Sequence, residues 1–343
     1  MRPARDDLFD WILSLGPTAR FNLTSSGLTE PPLKEMGVDT SFEHFASEEG
    51  LHEKAFAEEV AKLYRVEPEN VVATAGGTEA IFMVYSAFGA GRALVPLPNY
   101  PAMFTVPRSL GMKVQDPSTH PRPGKAMVGL TDPNNPTGVG LDPGFVDDLV
   151  RTSNRGGGTV YINETYREFT FPGQPGTHFD GSGGIVTSGT MTKFFGLGRL
   201  RVGWILADSK KARQLQYAKW AVSGHDSEYS LWIAAQVLRK RTEFVERAHR
   251  IWATNSKLVH RFLYETRGVS AELGVAPFCL VHYERGPASI ALARKVLESA
   301  GALVSPGDFF GSPRSFRLCF TAAEDTVKDG LEALSDFFGR THG

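Results

Sequence analysis

The chain has 343 residues but only two cysteines, Cys279 and Cys319. Both sit in apolar strings, Pro277-Phe278-Cys279-Leu280 and Arg317-Leu318-Cys319-Phe320, which reads as reduced core thiols of an intracellular protein and excludes a disulfide scaffold. Charge of one sign is also missing: 37 basic residues face 38 acidic ones, a formal net charge of -1, and no basic run occurs. Nothing therefore marks a nucleic-acid or anionic-membrane surface, and a small-molecule partner is expected. No apolar run approaches membrane-spanning length. The N-terminus, Met1-Arg2-Pro3-Ala4-Arg5-Asp6-Asp7, meets acidic residues and a short amphipathic stretch where a signal core would stand, so a cytoplasmic protein is expected. Internal repeats, low-complexity tracts and a metal-ligand set are likewise absent from the pattern. What is present is a hydrophobic fraction of 41% against 22% charged residues, enough to build a packed core. The length favours one large domain with a smaller one.

From about residue 53 helix-like and strand-like segments alternate, which predicts an α/β fold with a mainly parallel sheet. Helical spacing runs from Glu53 to Tyr64. Val71-Val72-Ala73-Thr74 reads as a short strand that breaks at Gly76-Gly77-Thr78 and feeds a helix over 79–88. Further buried strands are expected at 93–97, 126–130, 159–162, 184–188 and 204–207. Helical patterns follow from Ser209 to about Arg267, with a connecting helix near 244–265. The last part mixes strands at 278–283 and 315–321 with helices at 287–300 and 324–338. This predicts a large domain over 45–235 and a smaller α+β domain from 1–44 and 236–343.

One lysine stands out. Lys193 follows a buried strand in Thr190-Met191-Thr192-Lys193-Phe194-Phe195-Gly196, where apolar neighbours lower the dielectric and push an amine's pKa down, as a carbonyl-capturing lysine needs. Such a residue alone is ordinarily a solvated loop lysine, and its surroundings decide otherwise. Gly76-Gly77-Thr78 opens a helix after a strand, where free N–H groups and the helix dipole favour an anion. Pro98-Asn99-Tyr100-Pro101 offers an aromatic ring, Asn134-Asn135-Pro136-Thr137-Gly138 a polar turn, and Tyr161-Ile162-Asn163-Glu164-Thr165-Tyr166 a strand ending in polar residues. Val304-Ser305-Pro306-Gly307-Asp308-Phe309-Phe310-Gly311 leads to Ser315-Phe316-Arg317-Leu318.

In this order the motifs resemble those of the fold-type I pyridoxal-phosphate enzymes, in the class I/II aminotransferase (aspartate aminotransferase) superfamily, across essentially the whole chain. The resemblance implies that Lys193 holds pyridoxal 5'-phosphate through a Schiff base and later acts as general base. It implies a phosphate site at Gly76, Gly77, Thr78, Thr190 and Arg201, and a ring stacked on Tyr100. Asn135 and Tyr166 would meet the cofactor's phenolate oxygen, with Arg317 and Asn135 at the substrate carboxylate. The implied reaction moves the amino group of an amino acid to a 2-oxo acid in a ping-pong cycle, within a homodimer that shares its active sites. Catalytic roles would fall on Lys193, Tyr166 and Asn163.

Two positions depart from the family pattern. Asn163 stands where the family carries an aspartate that keeps the pyridine nitrogen protonated, and an amide can bond that nitrogen but cannot supply the ion pair. Either transamination is weakened, or the chain runs chemistry needing less electron withdrawal, such as decarboxylation, elimination or cyclisation. Phe45 occupies the place of a tyrosine that reaches the neighbouring subunit's phosphate and lacks its hydroxyl. The segment Ser223 to Tyr229 falls where the family often places side-chain-pocket residues from the other subunit, and its Asp226 and Glu228 would suit a cationic amino acid.

Overall fold

The computed structural model describes residues 5–89, 91–117, 125–170 and 175–342. The segment Met1-Arg2-Pro3-Ala4 of the N-terminal stretch lies outside the described residues. A short strand, β1 (Phe21–Asn22), precedes a seven-stranded sheet of β2 (Val71–Thr74), β3 (Arg92–Leu94), β4 (Lys113–Gln115), β5 (Met127–Thr131), β6 (Thr159–Asn163), β7 (Ile185–Thr190) and β8 (Gly203–Leu206). Their order is β2-β8-β7-β6-β5-β3-β4. Strand β8 runs antiparallel to both neighbours while the remaining pairings are parallel. The chain is thus an α/β protein with a mixed, mostly parallel sheet. The central strands β5 and β7 are buried along their full length, as parallel strands covered by helices on both faces must be.

The predicted strands and the helices over 53–64 and 79–88 are in place, the latter as His52–Tyr64 and Gly77–Phe88. The long helical stretch after residue 209 is three helices, Ser209–Val222, Glu228–Arg239 and Arg241–Glu265. The first break, over residues 223–227, ends at Ser227, whose hydroxyl accepts from the Ser230 N–H and caps the second helix. The edge strand β4 and the helix Ala102–Ser109 carry no clear sequence signal, whereas helix Pro143–Arg155 is bounded by Asp142 at its N-cap, Pro143 in its first turn and Gly156 at its end. Helix Ala102–Ser109 contains Pro107, a residue that reads as a helix breaker.

The C-terminal part forms a four-stranded antiparallel sheet of β9 (Val269–Ser270), β10 (Phe278–Tyr283), β12 (Ser305–Pro306) and β13 (Ser315–Cys319). The remaining strand, β11 (Ala302–Leu303), pairs in parallel with β1 and ties residues 21–22 to the C-terminal part. Trp11, Phe21 and Leu23 join Val281, Phe316, Leu331 and Phe338 in one apolar cluster, and the Trp11 indole donates to Val304 O at 3.0 Å. Cys279 and Cys319 are buried free thiols. Among the described residues no helix is long and apolar enough to cross a membrane.

Candidate active site

Parallel strands end together, and the crevice outside their carboxyl ends is where an open α/β sheet can receive a ligand. Here the ends of β5, β6 and β7 supply Thr131, Asn163 and Thr190 to one cavity of about 270 Å³. Gly77, Thr78, Tyr100, Asn135, Tyr166, Lys193 and Arg201 also line it. Residues scattered over 125 positions of sequence are therefore brought together. Gly76 stands directly before this lining, and Arg317 directly behind it.

One end of the cavity is built for an anion. Gly76 has φ +87°, a backbone that L side chains rarely adopt, and a Cβ there would lie 2.7 Å from Arg201 Nη2. Only glycine lets the turn after β2 close this tightly onto the guanidinium. The helix from Gly77 then points its unpaired first-turn N–H groups and positive dipole end into the space. Arg201, itself in the left-handed region at φ +54°, donates from Nη2 to Ala75 O at 3.0 Å. A non-glycine residue held there is strained, as residues at binding sites often are. Thr190 Oγ1 donates to Val202 O at 3.0 Å and accepts from the Thr192 N–H, which clamps the loop that carries Lys193.

Lys193 points its amine inward, donating to Ser26 Oγ at 3.2 Å, while the Tyr166 hydroxyl donates to the same oxygen at 2.8 Å. Burial, with the nearby Arg317 and Arg201 charges adding to it, pulls the lysine down from 10.5 to about 8. Burial pushes the Tyr100 hydroxyl up to about 12 and the Tyr166 hydroxyl higher still, so both remain hydrogen-bond donors near neutral pH. Tyr100 is steadied by Asn99, whose Oδ1 accepts from the Tyr100 N–H and from Thr131 Oγ1. The Asn134 amide donates to Pro98 O, tying the two turns to each other.

Arg317 is 2% exposed and lies between the rings of Phe278 and Phe310. Its Nη1 donates to Asn135 Oδ1 at 2.9 Å and its Nη2 to Thr24 O at 3.1 Å, and its Nε has no hydrogen-bond partner. Among the described residues no carboxylate pairs with it. Because a guanidinium only donates, this contact turns the Asn135 amide so that its N–H₂ group is left for the cavity. No carboxylate lines the cavity either. The lining and the residue behind it thus hold three cationic side chains without an acidic counterpart, a set complementary to one ligand with a phosphate and another with a carboxylate.

The donor set fits pyridoxal 5'-phosphate: a glycine turn and guanidinium for the phosphate, an amine of lowered pKa for the aldehyde, a flat ring in Tyr100 and amide donors for the ring's polar edge. The fold and this cavity define a pyridoxal-phosphate-dependent enzyme. The chain belongs to the aminotransferase class I and II family, whose model matches residues 39–334. A histidinol-phosphate aminotransferase from Caldanaerobacter subterraneus is 26% identical over 285 residues, covering 77% of either chain. A PLP-dependent aminotransferase from Streptococcus suis superposes with TM-score 0.90 at 22% identity over 99% of both chains. The PLP-dependent cyclase OrfR does so with TM-score 0.84, also at 22% identity and 99% coverage.

Three residues that the resemblance ties to the neighbouring subunit's site lie away from the cavity of their own chain. Phe45 packs against Phe42, His52, Tyr229 and Trp232 and lines no part of the cavity. Asp226 forms an ion pair with the fully buried Lys219, and Glu228 accepts from the His52 N–H at 2.7 Å, so neither carboxylate faces the cavity of its own chain. Ser26, Thr24 and Thr165 were not singled out by sequence. The available hint was Gly27, where a Cβ would lie 3.2 Å from Lys193 Cδ.

Proposed function

We propose that the chain transfers the amino group of an amino acid to a 2-oxo acid, with Lys193 as the covalent anchor and proton carrier. The observation that carries this reading is the buried amine of lowered pKa in a cavity with cations and no carboxylate. Pyridoxal 5'-phosphate, when bound, supplies an aldehyde that couples to amines and a conjugated pyridine ring that draws electron density from the substrate's Cα. Gly76, Gly77, Thr78, Thr190 and Arg201 would hold the phosphate, and Tyr100 would lie against the ring. Asn135 and Tyr166 would donate to the phenolate oxygen, and Asn163 would meet the ring nitrogen. Arg317 receives the substrate carboxylate, for which its fork geometry and unpaired Nε are apt, and so turns Cα–H toward Lys193 Nζ. Lys193 Nζ, neutral in an appreciable fraction near pH 7 to 8, takes that proton and returns it.

The reading extends to a homodimer with shared active sites in the cytoplasm, and to a large domain over 45–235 beside a small one from 1–44 and 236–343. The two larger sheets support that division, since one is confined to 71–206 and the other to 269–319. A second reading, cyclisation, elimination or decarboxylation of an amino acid, is favoured by Asn163 and by the likeness to a PLP-dependent cyclase. The near-ultraviolet and visible spectrum of the cofactor-loaded protein tests both, before and after a mixture of amino acids, with Lys193→Ala as control. Conversion toward the pyridoxamine form with release of 2-oxo acids supports transamination. Amino-acid consumption without 2-oxo acid supports the second reading, and a spectrum unaffected by Lys193→Ala would refute both.

A further inference from the structure

Asn163 is 3% exposed at the end of β6, on the floor of the cavity. Its Oδ1 accepts from the Thr165 backbone N–H at 3.1 Å and from Thr165 Oγ1 at 2.5 Å. A backbone N–H can only donate, so this turn fixes which way round the amide lies: the oxygen is committed to Thr165 and the N–H₂ group faces away from it. That group has no hydrogen-bond partner among the described residues, and the residue lines the cavity. What Asn163 presents to a ligand is a donor and not an acceptor.

On the proposed reading the cofactor's phosphate, aldehyde and phenolate oxygen are accounted for by the Gly76 turn with Thr190 and Arg201, by Lys193, and by Asn135 with Tyr166. The ring nitrogen is the polar group that remains for Asn163. A protonated nitrogen would set N–H against N–H there, while an unprotonated one accepts from the amide. Among the described residues that line the cavity there is no carboxylate to compensate a pyridinium. The acids near Asn163 are turned to other partners: Glu164 to Thr177 Oγ1 at 2.8 Å and the His178 N–H at 2.6 Å, Glu168 to Tyr64 and Arg241, and Asp132, whose N–H donates to Asn163 O, to Arg167 and His178. The groups that titrate at the cavity are Lys193, Tyr100 and Tyr166, with Cys319 near Lys193 and Tyr166, Asp6 near Tyr100, and the cationic Arg201 and Arg317 beside them.

We infer that Asn163 donates a hydrogen bond to an unprotonated pyridine nitrogen, so that this chain holds its cofactor with a neutral ring. This rests on the proposed function and deepens it. A neutral ring withdraws less density from Cα, which places the chain among catalysts that run with a weaker electron sink and fits the second reading as well as slow transamination.

The test is the ¹⁵N resonance of the ring nitrogen in protein reconstituted with ring-¹⁵N pyridoxal 5'-phosphate. A wild-type signal in the downfield range of neutral pyridine, moved upfield to the pyridinium range by Asn163→Asp, is expected. A wild-type signal already in the pyridinium range would overturn the inference while leaving the cofactor reading intact. Failure to bind the cofactor would overturn both. Should Asn163→Asp not fold, the wild-type position decides alone. Asn163→Leu, which removes the donor, is expected to weaken cofactor binding roughly two- to tenfold with the signal still neutral. Unchanged affinity in that variant would show that the amide does not contact the ring.

Discussion

The lowered pKa of Lys193 yields a direct chemical prediction. An amine of ordinary value 10.5 is neutral at pH 7 in about three molecules in ten thousand, whereas one held at about 8 is neutral in about one in ten, a gain of about 300-fold in reactive amine. The direction follows from the causes. Burial disfavours the ammonium, and the like charges of Arg317 and Arg201 disfavour it further. Dinitrofluorobenzene is an uncharged reagent that arylates only neutral amines. On protein stripped of cofactor, its initial rate at the Lys193 peptide, quantified by mass spectrometry between pH 6 and 11, should rise and level off with an inflection near 8. The arginine supplies a second arm. Arg317→Met removes a positive neighbour, so the ammonium persists longer and the inflection should move to higher pH. A wild-type inflection at 10 or above would refute the reasoning, and so would a variant whose inflection moved down.

Two further outcomes follow from the geometry. Gly76→Ala forces an L side chain to φ +87° with its Cβ 2.7 Å from Arg201 Nη2; strain of about 1–3 kcal/mol should weaken cofactor binding about 5- to 150-fold, read by equilibrium dialysis, and unchanged binding would count against the phosphate site. Lys219 is fully buried, donates to Ala73 O at 2.8 Å beside the cradle and pairs with Asp226, with Glu79 3.7 Å away. Lys219→Met should therefore cost about 3–5 kcal/mol in urea unfolding, part of it recovered in Lys219→Met with Asp226→Leu, and a loss below about 1 kcal/mol would mean the pair is dispensable.

Local chemistry made much of this protein legible without coordinates. The run Val71–Thr74 followed by Gly76-Gly77-Thr78 is a strand, a tight turn and a helix start whatever the rest of the chain does, because the glycine backbone and the apolar run act over a few residues. The same holds for the order of the motifs around Tyr100, Asn135, Tyr166, Lys193 and Arg201, which carried the family and the cofactor. The identity of residue 163 as an amide is also a sequence fact. Helix Ala102–Ser109 and the edge strand Lys113–Gln115 were not legible, since packing on the sheet overrides a proline or a weak pattern.

Tertiary structure alone decided what those residues can do. Ser26 meets Lys193 and Tyr166 across more than a hundred positions of chain, and no spacing rule reaches that far. The direction of the Asn135 amide depends on Arg317, and that of Asn163 on how the backbone turns at Thr165. Asp226 pairs with Lys219 in its own chain because the fold buries that ammonium and a buried charge must be paired. Sequence determines which donors, acceptors and charges exist, and folding spends some of them on one another; what is left facing the cavity is the chemistry.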